Sequence, residues 1–176
     1  LVHVFYPELL PEILRRLGWF PVPYDLIVTN ASGAPLEVAA APLGPVRHVR
    51  VLDVPNRGRD ILPMVSVVNA GLLEPYELVL KVHTKKSEWR EWHESLGGTG
   101  AEWRDAFLDQ LLGSREGIER ILAEFARDPA LGLLTANGCV LGAEHWGSNR
   151  ELTAELLLRL ELKLPQTLRF AAGSMY

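Results

Sequence analysis

Short apolar runs alternate with stretches of helical periodicity along nearly the whole chain. LVHVFY (residues 1–6) is apolar and rich in β-branched positions and predicts a strand. PELLPEILRRLG (7–18) then spaces its leucines at helical intervals and ends on Gly18, a C-terminal cap. YDLIVTN (24–30) predicts a second strand, entered through Pro21 and Pro23, and residues 33–41 a short helix broken by Gly44-Pro45. VRHVRVLDV (46–54) alternates apolar and basic positions, the pattern of a half-exposed third strand, and a helix follows over 60–73. YELVLKVHT (76–84) predicts a fourth strand. After an irregular segment come helices over 101–112 and 114–127, the latter stopped by Asp128-Pro129, then a fifth strand in LGLLTAN (131–137) and a last helix over 149–162. This order predicts an α/β fold with a mostly parallel central sheet and helices on both faces, in which ligands bind beyond the carboxyl ends of the strands.

That rule brings two polar loops to one edge. PNRGRD (55–60) follows the third strand and HTKKS (83–87) ends the fourth. Gly58 permits a tight turn and close backbone approach. Asp60 stands where it can cap the next helix or face a ligand, with Pro63 tolerated in the first turn. Arg57 and Arg59 offer guanidinium forks that match phosphate geometry. Lys85 and Lys86 read either as a solvated charge pair or as the rest of a pocket for an anionic leaving group such as a diphosphate.

Composition narrows the classes. At 176 residues, 48% apolar and 23% charged, the chain suits one domain with its own core. A net charge of −4 argues against a nucleic-acid binder or a general membrane-surface binder, so an anion site here must be local. The single cysteine, Cys139, excludes an internal disulfide framework and a zinc ribbon, and makes a cytoplasmic location the expectation. No apolar run approaches the roughly 20 residues that span a bilayer. The start lacks a basic leader, and both ends read as cut from a longer protein.

GxGxxG, P-loop and G-x-S-x-G patterns are absent, as are His or Cys pairs at metal-ligand spacing. His3 reads as a strand histidine, and His48 and His93 as surface residues. Trp89, Trp92 and Trp103 read as helix-packing residues rather than a sugar platform. Glu144-His145-Trp146-Gly147 reads either as an acid or base with an aromatic facing an acceptor, or as a turn with a buried tryptophan.

Eight ordered blocks then carry a resemblance: VHVFYPELLPEIL, VPYDLIVT, VPNRGRDILPM, YELVLKVHTKKS, WRDAFLDQLLGS, LGLLTAN, HWGSNRELTAELLLRL and FAAGSMY. Over nearly its whole length the sequence resembles the rhamnan synthesis protein F family of bacterial polysaccharide glycosyltransferases. The resemblance implies a GT-A-like (Rossmann-like) nucleotide-sugar transferase fold. It also implies transfer of a sugar, rhamnose from dTDP-rhamnose being the expected donor, to a growing polysaccharide or lipid-linked oligosaccharide at the inner face of the bacterial membrane. Peripheral membrane association through a longer protein is left open, although no basic amphipathic helix is evident.

Compared with GT-A transferases at large, Asn56-Arg57-Gly58 resembles the N-x-G loop after the third strand. Where an Asp-x-Asp metal site would follow, this chain has His83-Thr84-Lys85, so a divalent metal is not supported by the sequence. Donor and diphosphate contacts would then fall to Asn56, Arg57, Gly58, Arg59, Asp60, His83, Thr84, Lys85 and Lys86, with fixed cations stabilising the leaving diphosphate. Glu144 or His145, with Asp60 as rival, would supply the catalytic base. Trp146, Asn149, Gly173, Ser174 and Met175 would border the acceptor. Two other classes stand beside this one. A non-catalytic glycan- or partner-binding module is motivated by the missing Asp-x-Asp. A hydrolase or phosphatase with Asp60 as nucleophile is weakened because no second acid ends the neighbouring strand.

Overall fold

The computed structural model describes every residue except 39–42, 85, 87–98, 148, 164, 166 and 174. Four parallel strands form its sheet in the order β3-β2-β1-β4: β1 Val2–Val4, β2 Tyr24–Asn30, β3 Val46–Asp53 and β4 Val82–His83. Val2 lies opposite Val28 on one side and Val82 on the other, and all three are closed off from solvent. This valine row anchors the core because β-branched side chains suit a pleated surface. The class is α/β, with five α-helices among the described residues: α1 Leu10–Leu17, α2 Ile61–Asn69, α3 Gly100–Leu112, α4 Arg115–Arg127 and α5 Asn149–Arg159.

Helix α1 buries Leu10, Ile13 and Leu17, one stripe at helical spacing, and α3 buries Phe107, Leu108, Leu111 and Leu112 in the same core. Arg16 bridges the two helices, reaching Glu12 at 2.6 Å and Asp109 at 2.7 Å. The start of α3 is set by a capping box. The Glu102 amide donates to the Thr99 hydroxyl at 3.1 Å, and the Thr99 amide donates to the Glu102 carboxylate at 2.6 Å.

The helices expected over 60–73 and 149–162 end early, at Asn69 and Arg159, and three larger differences each have a local reason. Residues 31–38 form no helix. The Asn30 side chain captures the backbone there, accepting from the Ser32 amide and hydroxyl and donating to the Ala34 carbonyl. The rest of the expected helix, residues 39–41, lies outside the described residues. The fourth strand shortens to Val82–His83, because β1 meets it only at Val2 and His3. LGLLTAN (131–137) enters no ladder among the described residues. It is tied down through side chains instead, Thr135 donating to the Met175 carbonyl at 2.8 Å and the Gln110 side chain accepting from the Asn137 amide at 2.7 Å. The strands that do form nearby are β5 Val140–Gly142 and β6 Arg169–Ala171, an antiparallel pair too short to show a period.

A cavity of about 450 Å³ opens at the amino ends of the strands, lined by Phe20, Tyr24, Leu26, Leu78 and Leu80 among others. It lies at the opposite end of the sheet from the two polar loops.

Burial separates the stability roles of the helices. Ile13→Ala empties a fully enclosed site and is expected to cost about 2–5 kcal/mol in a denaturant titration. Leu158→Ala on α5, which buries none of its residues, should stay within about 0.5 kcal/mol of wild type.

Candidate functional site

At the carboxyl end of the sheet the chain leaves β3 through a hydrogen bond from the Val54 amide to the Asn30 carbonyl and turns sharply. The Arg57 amide donates back to the Pro55 carbonyl at 2.8 Å. Gly58 and Arg59 then both adopt left-handed backbone, with φ of 64° and 54°. Glycine takes this conformation without penalty, and the space matters as well, since a Cβ on Gly58 would sit 2.5 Å from Leu62 Cβ. Arg59 has no such freedom and is held in a sparsely populated region. The Gly58 carbonyl closes the turn by accepting from the Ile61 and Leu62 amides at 3.2 and 3.3 Å. Asn56, Arg57 and Arg59 are exposed, and among the described residues neither arginine has a carboxylate partner, whereas Arg16, Arg47 and Arg104 do.

Beneath this turn lies an ion pair. Lys81 is sealed from solvent, its side chain 1% exposed, and its ammonium stands 2.6 Å from the Asp60 carboxylate. His83 Nδ1 lies 3.5 Å from the same oxygen. Asp60 occupies the first position before α2 but makes no side-chain cap, so its capping reading is corrected: the carboxylate points to the sheet. Burial alone would raise the Asp60 pKa. The hydrogen bonds and charges of His83 and Lys81 outweigh that and hold it well below the usual carboxylate range.

A polar row extends this pair across the strands. His3 lies between Thr29 and His83 in register, and its Nδ1 shares a 3.0 Å hydrogen bond with the Thr29 hydroxyl. Burial, followed by the charge of His83, lowers the His3 pKa. On the outer side of β4 the backbone N–H and carbonyl of Lys81 both pair with Tyr176. The Tyr176 ring lies 5.3 Å from the Lys81 ammonium, and its hydroxyl reaches Met64 Sδ on α2 at 3.1 Å.

Of the expected donor residues, the structure therefore brings Asp60 and His83 together beneath Arg57, Gly58 and Arg59. Thr84 is used structurally, its hydroxyl accepting from the Phe5 and Tyr6 amides at 2.9 and 3.0 Å. Lys86 pairs with Glu8 at 2.7 Å and lies over the Tyr6 ring. Lys85, Ser174, Trp89, Trp92 and His93 lie outside the described residues.

Glu144 and His145 are exposed and 3.7 Å apart, in a 3₁₀ turn after β5. Trp146 next to them is half-buried and 6.5 Å from the Phe170 ring. Asn149 opens α5 and is exposed. Gly173 is left-handed, and a Cβ there would strike Phe107 at 2.7 Å. Met175 is wholly buried, a core residue rather than one lining an acceptor cleft. Trp103 packs edge-on against Phe107, as helix packing requires, and His48 is a surface residue beside Asp25.

Lys81, Thr29 and Tyr176 are not singled out by the motif reading, whereas His3 is the strand histidine it expects. A signal was present for Lys81, since a lysine between Leu80 and Val82 in an apolar run shares a strand face with His83 two residues on. Among the described residues no three His, Cys, Asp or Glu side chains gather where they could hold a metal ion.

The ion pair dictates a stability test. Asp60→Asn strands a buried ammonium and is expected to cost about 3–5 kcal/mol in a denaturant titration. The pH dependence follows from the sign of the shift. A carboxyl depressed in the folded state contributes stability that is present above its unfolded pKa of about 4 and is lost as pH falls below that toward the folded value. Wild type should lose this contribution progressively as pH falls below about 4, and Asp60→Asn should show a shallower acid limb, its remainder coming from other depressed carboxylates such as Glu12 and Asp25.

Residues 1–172 match the family described as Rhamnan synthesis protein F. Two proteins of Xanthomonas campestris pv. campestris, from strains B100 and ATCC 33913 and each named "Uncharacterized protein WxcX", are 33% identical to this chain over 177 residues. The alignments cover 99% of this chain and 24% of each relative, so the chain spans about a quarter of their length. No solved structure matches. With the family matched over almost every residue, polar edge included, this chain belongs to the rhamnan synthesis protein F family.

Proposed function

We propose that this chain is a glycosyltransferase domain of polysaccharide synthesis that binds a nucleotide sugar at the carboxyl edge of its sheet. The observation that carries the reading is the exposed Arg57-Gly58-Arg59 turn. Two guanidinium groups without carboxylate partners among the described residues are set on a strained backbone above a buried ion pair, in an acidic chain. Forks of this kind suit the two phosphates of a nucleoside diphosphate. Family membership supports a role in rhamnan synthesis, and with it dTDP-rhamnose as donor and a growing polysaccharide or lipid-linked oligosaccharide as acceptor.

In the proposed reaction the acceptor hydroxyl oxygen bonds to the anomeric carbon. The bond from that carbon to the diphosphate oxygen breaks, and the diphosphate leaves with the electron pair. Arg57 and Arg59, with Lys85, neutralise the developing negative charge. The hydroxyl proton passes to Glu144 or His145, the pair on the turn after β5. Asp60 is the weaker base, because a carboxylate held by Lys81 and His83 resists taking a proton. The same reading assigns the domain a GT-A-like architecture and places it, as one part of a longer cytoplasmic protein, at the inner face of the bacterial membrane.

Calorimetric titration with dTDP and dTDP-rhamnose, alongside UDP and GDP, each with magnesium and then with chelator, tests the reading. Binding of dTDP is expected to persist with chelator. Arg57→Ala and Arg59→Ala should each weaken it at least about tenfold, equivalent to about 1.4 kcal/mol and within the range of a hydrogen bond to a charged group. Failure of every nucleotide to bind would overturn the reading, and binding of an oligosaccharide in its place would make the domain a glycan-binding module.

A further inference from the structure

We infer that Lys81 and Asp60 form a positioning pair whose task is to hold the arginine turn in its strained conformation, an inference that rests on that turn being the anion site. The pair is poorly explained by stability alone. Removing an ammonium and a carboxylate from water is costly, and apolar residues of similar volume commonly replace buried ion pairs without loss of stability. Its geometry shows what apolar residues would not supply. Asp60 directly follows Gly58 and Arg59, the two consecutive left-handed residues, and its carboxylate is the point where the turn is fastened to the sheet.

Lys81 is itself held firmly. Val82 and its valine neighbours enclose the strand on one side of the sheet, and Tyr176 pairs with both backbone groups of Lys81. Strain such as that at Arg59 persists only where the surroundings over-determine it. Two constraints do so here: the Gly58 carbonyl is bound by the Ile61 and Leu62 amides, and the Asp60 carboxylate is bound by Lys81, with His83 at 3.5 Å. The first constraint lies within the loop and its helix. Of these two, the second refers the far end of the turn to β4, as the Val54 amide to the Asn30 carbonyl refers its start to β2, and so fixes where Arg57 and Arg59 stand.

The test uses the whole 176-residue chain and a paired variant, Asp60→Leu with Lys81→Met, which removes both charges at once and so avoids the unpaired buried charge of either single change. Amide hydrogen exchange is read at Ile61 and Leu62, the donors to Gly58, against the amides of β2 as an internal reference. Exchange at Ile61 and Leu62 is expected to rise at least tenfold while β2 is unchanged. Affinity for inorganic pyrophosphate should fall at least tenfold, and Arg57→Ala should lower it no further in the paired variant, although it does so in wild type. Asp60→Glu keeps both charges but lengthens the tether by one methylene, and should move exchange and affinity in the same direction while the melting temperature holds. Unchanged exchange at Ile61 and Leu62 in both variants overturns the positioning role. Faster exchange in a protein whose wild type binds no pyrophosphate upholds the positioning role and overturns the proposed function instead.

Discussion

A lysine ammonium closed off from water must find a negative charge, and in this fold the partner it finds governs the carboxyl edge of the sheet. Lys81 reaches Asp60 at 2.6 Å only if β4 lies against β1 in the register that sets His3 opposite His83. A slip of one residue would turn Lys81 and His83 to the opposite face and push them among Val2, Val4 and Val28, while Val82 left the core. The apolar and polar faces of this short strand therefore enforce the same register, the one by burial and the other by charge pairing. That agreement lets a strand of two residues hold a defined place at the edge of the ladder.

The same pair shapes the loop above it. A carboxylate used as a helix cap would turn toward the first amides of α2, whereas Asp60 turns to the sheet, and the role of closing the turn passes to the Gly58 carbonyl. That carbonyl can reach the Ile61 and Leu62 amides because Gly58 and Arg59 are left-handed. One electrostatic demand in the sheet thus accounts for a backbone conformation that Gly58 takes freely but Arg59 would not favour on its own.

Much of the frame was legible from periodicity. β2, α3 and α4 fall where their patterns place them to within a residue, because each carries a strong local signal: an unbroken β-branched run, a Thr99-Glu102 capping box, and a Ser114 cap ahead of Asp128-Pro129. What escaped was decided by groups distant in sequence. LGLLTAN has the composition of a strand but joins no ladder among the described residues, and the Met175 carbonyl that holds Thr135 lies 40 residues away. The site divides in the same way. PNRGRD announces itself as a turn rich in cations, and HTKKS as a polar strand end. That Thr84 serves the backbone of Phe5 and Tyr6, that Lys86 belongs to Glu8, and that Lys81 is the cation engaged by Asp60 all depend on how the strands are laid side by side.

These assignments change the physical character of the edge. Were Lys81, Lys86, Arg57 and Arg59 all free toward solvent, the edge would be a diffuse cationic patch, weakened by salt beyond a Debye length of about 8 Å and unable to prefer one anion over another. With Lys81 neutralised by Asp60 and Lys86 drawn to Glu8, the positive charge that faces outward at this edge, among the described residues, narrows to a turn of three residues. A diphosphate discriminates between the two arrangements. A loose patch attracts any anion, whereas two guanidinium forks held at a fixed separation reward an anion whose charges are spaced to meet both. Fixed cations can do this work only if their positions do not relax as the charge develops, which is why the rigidity of the turn, and hence the buried pair below it, belongs to the chemistry as much as the arginines do.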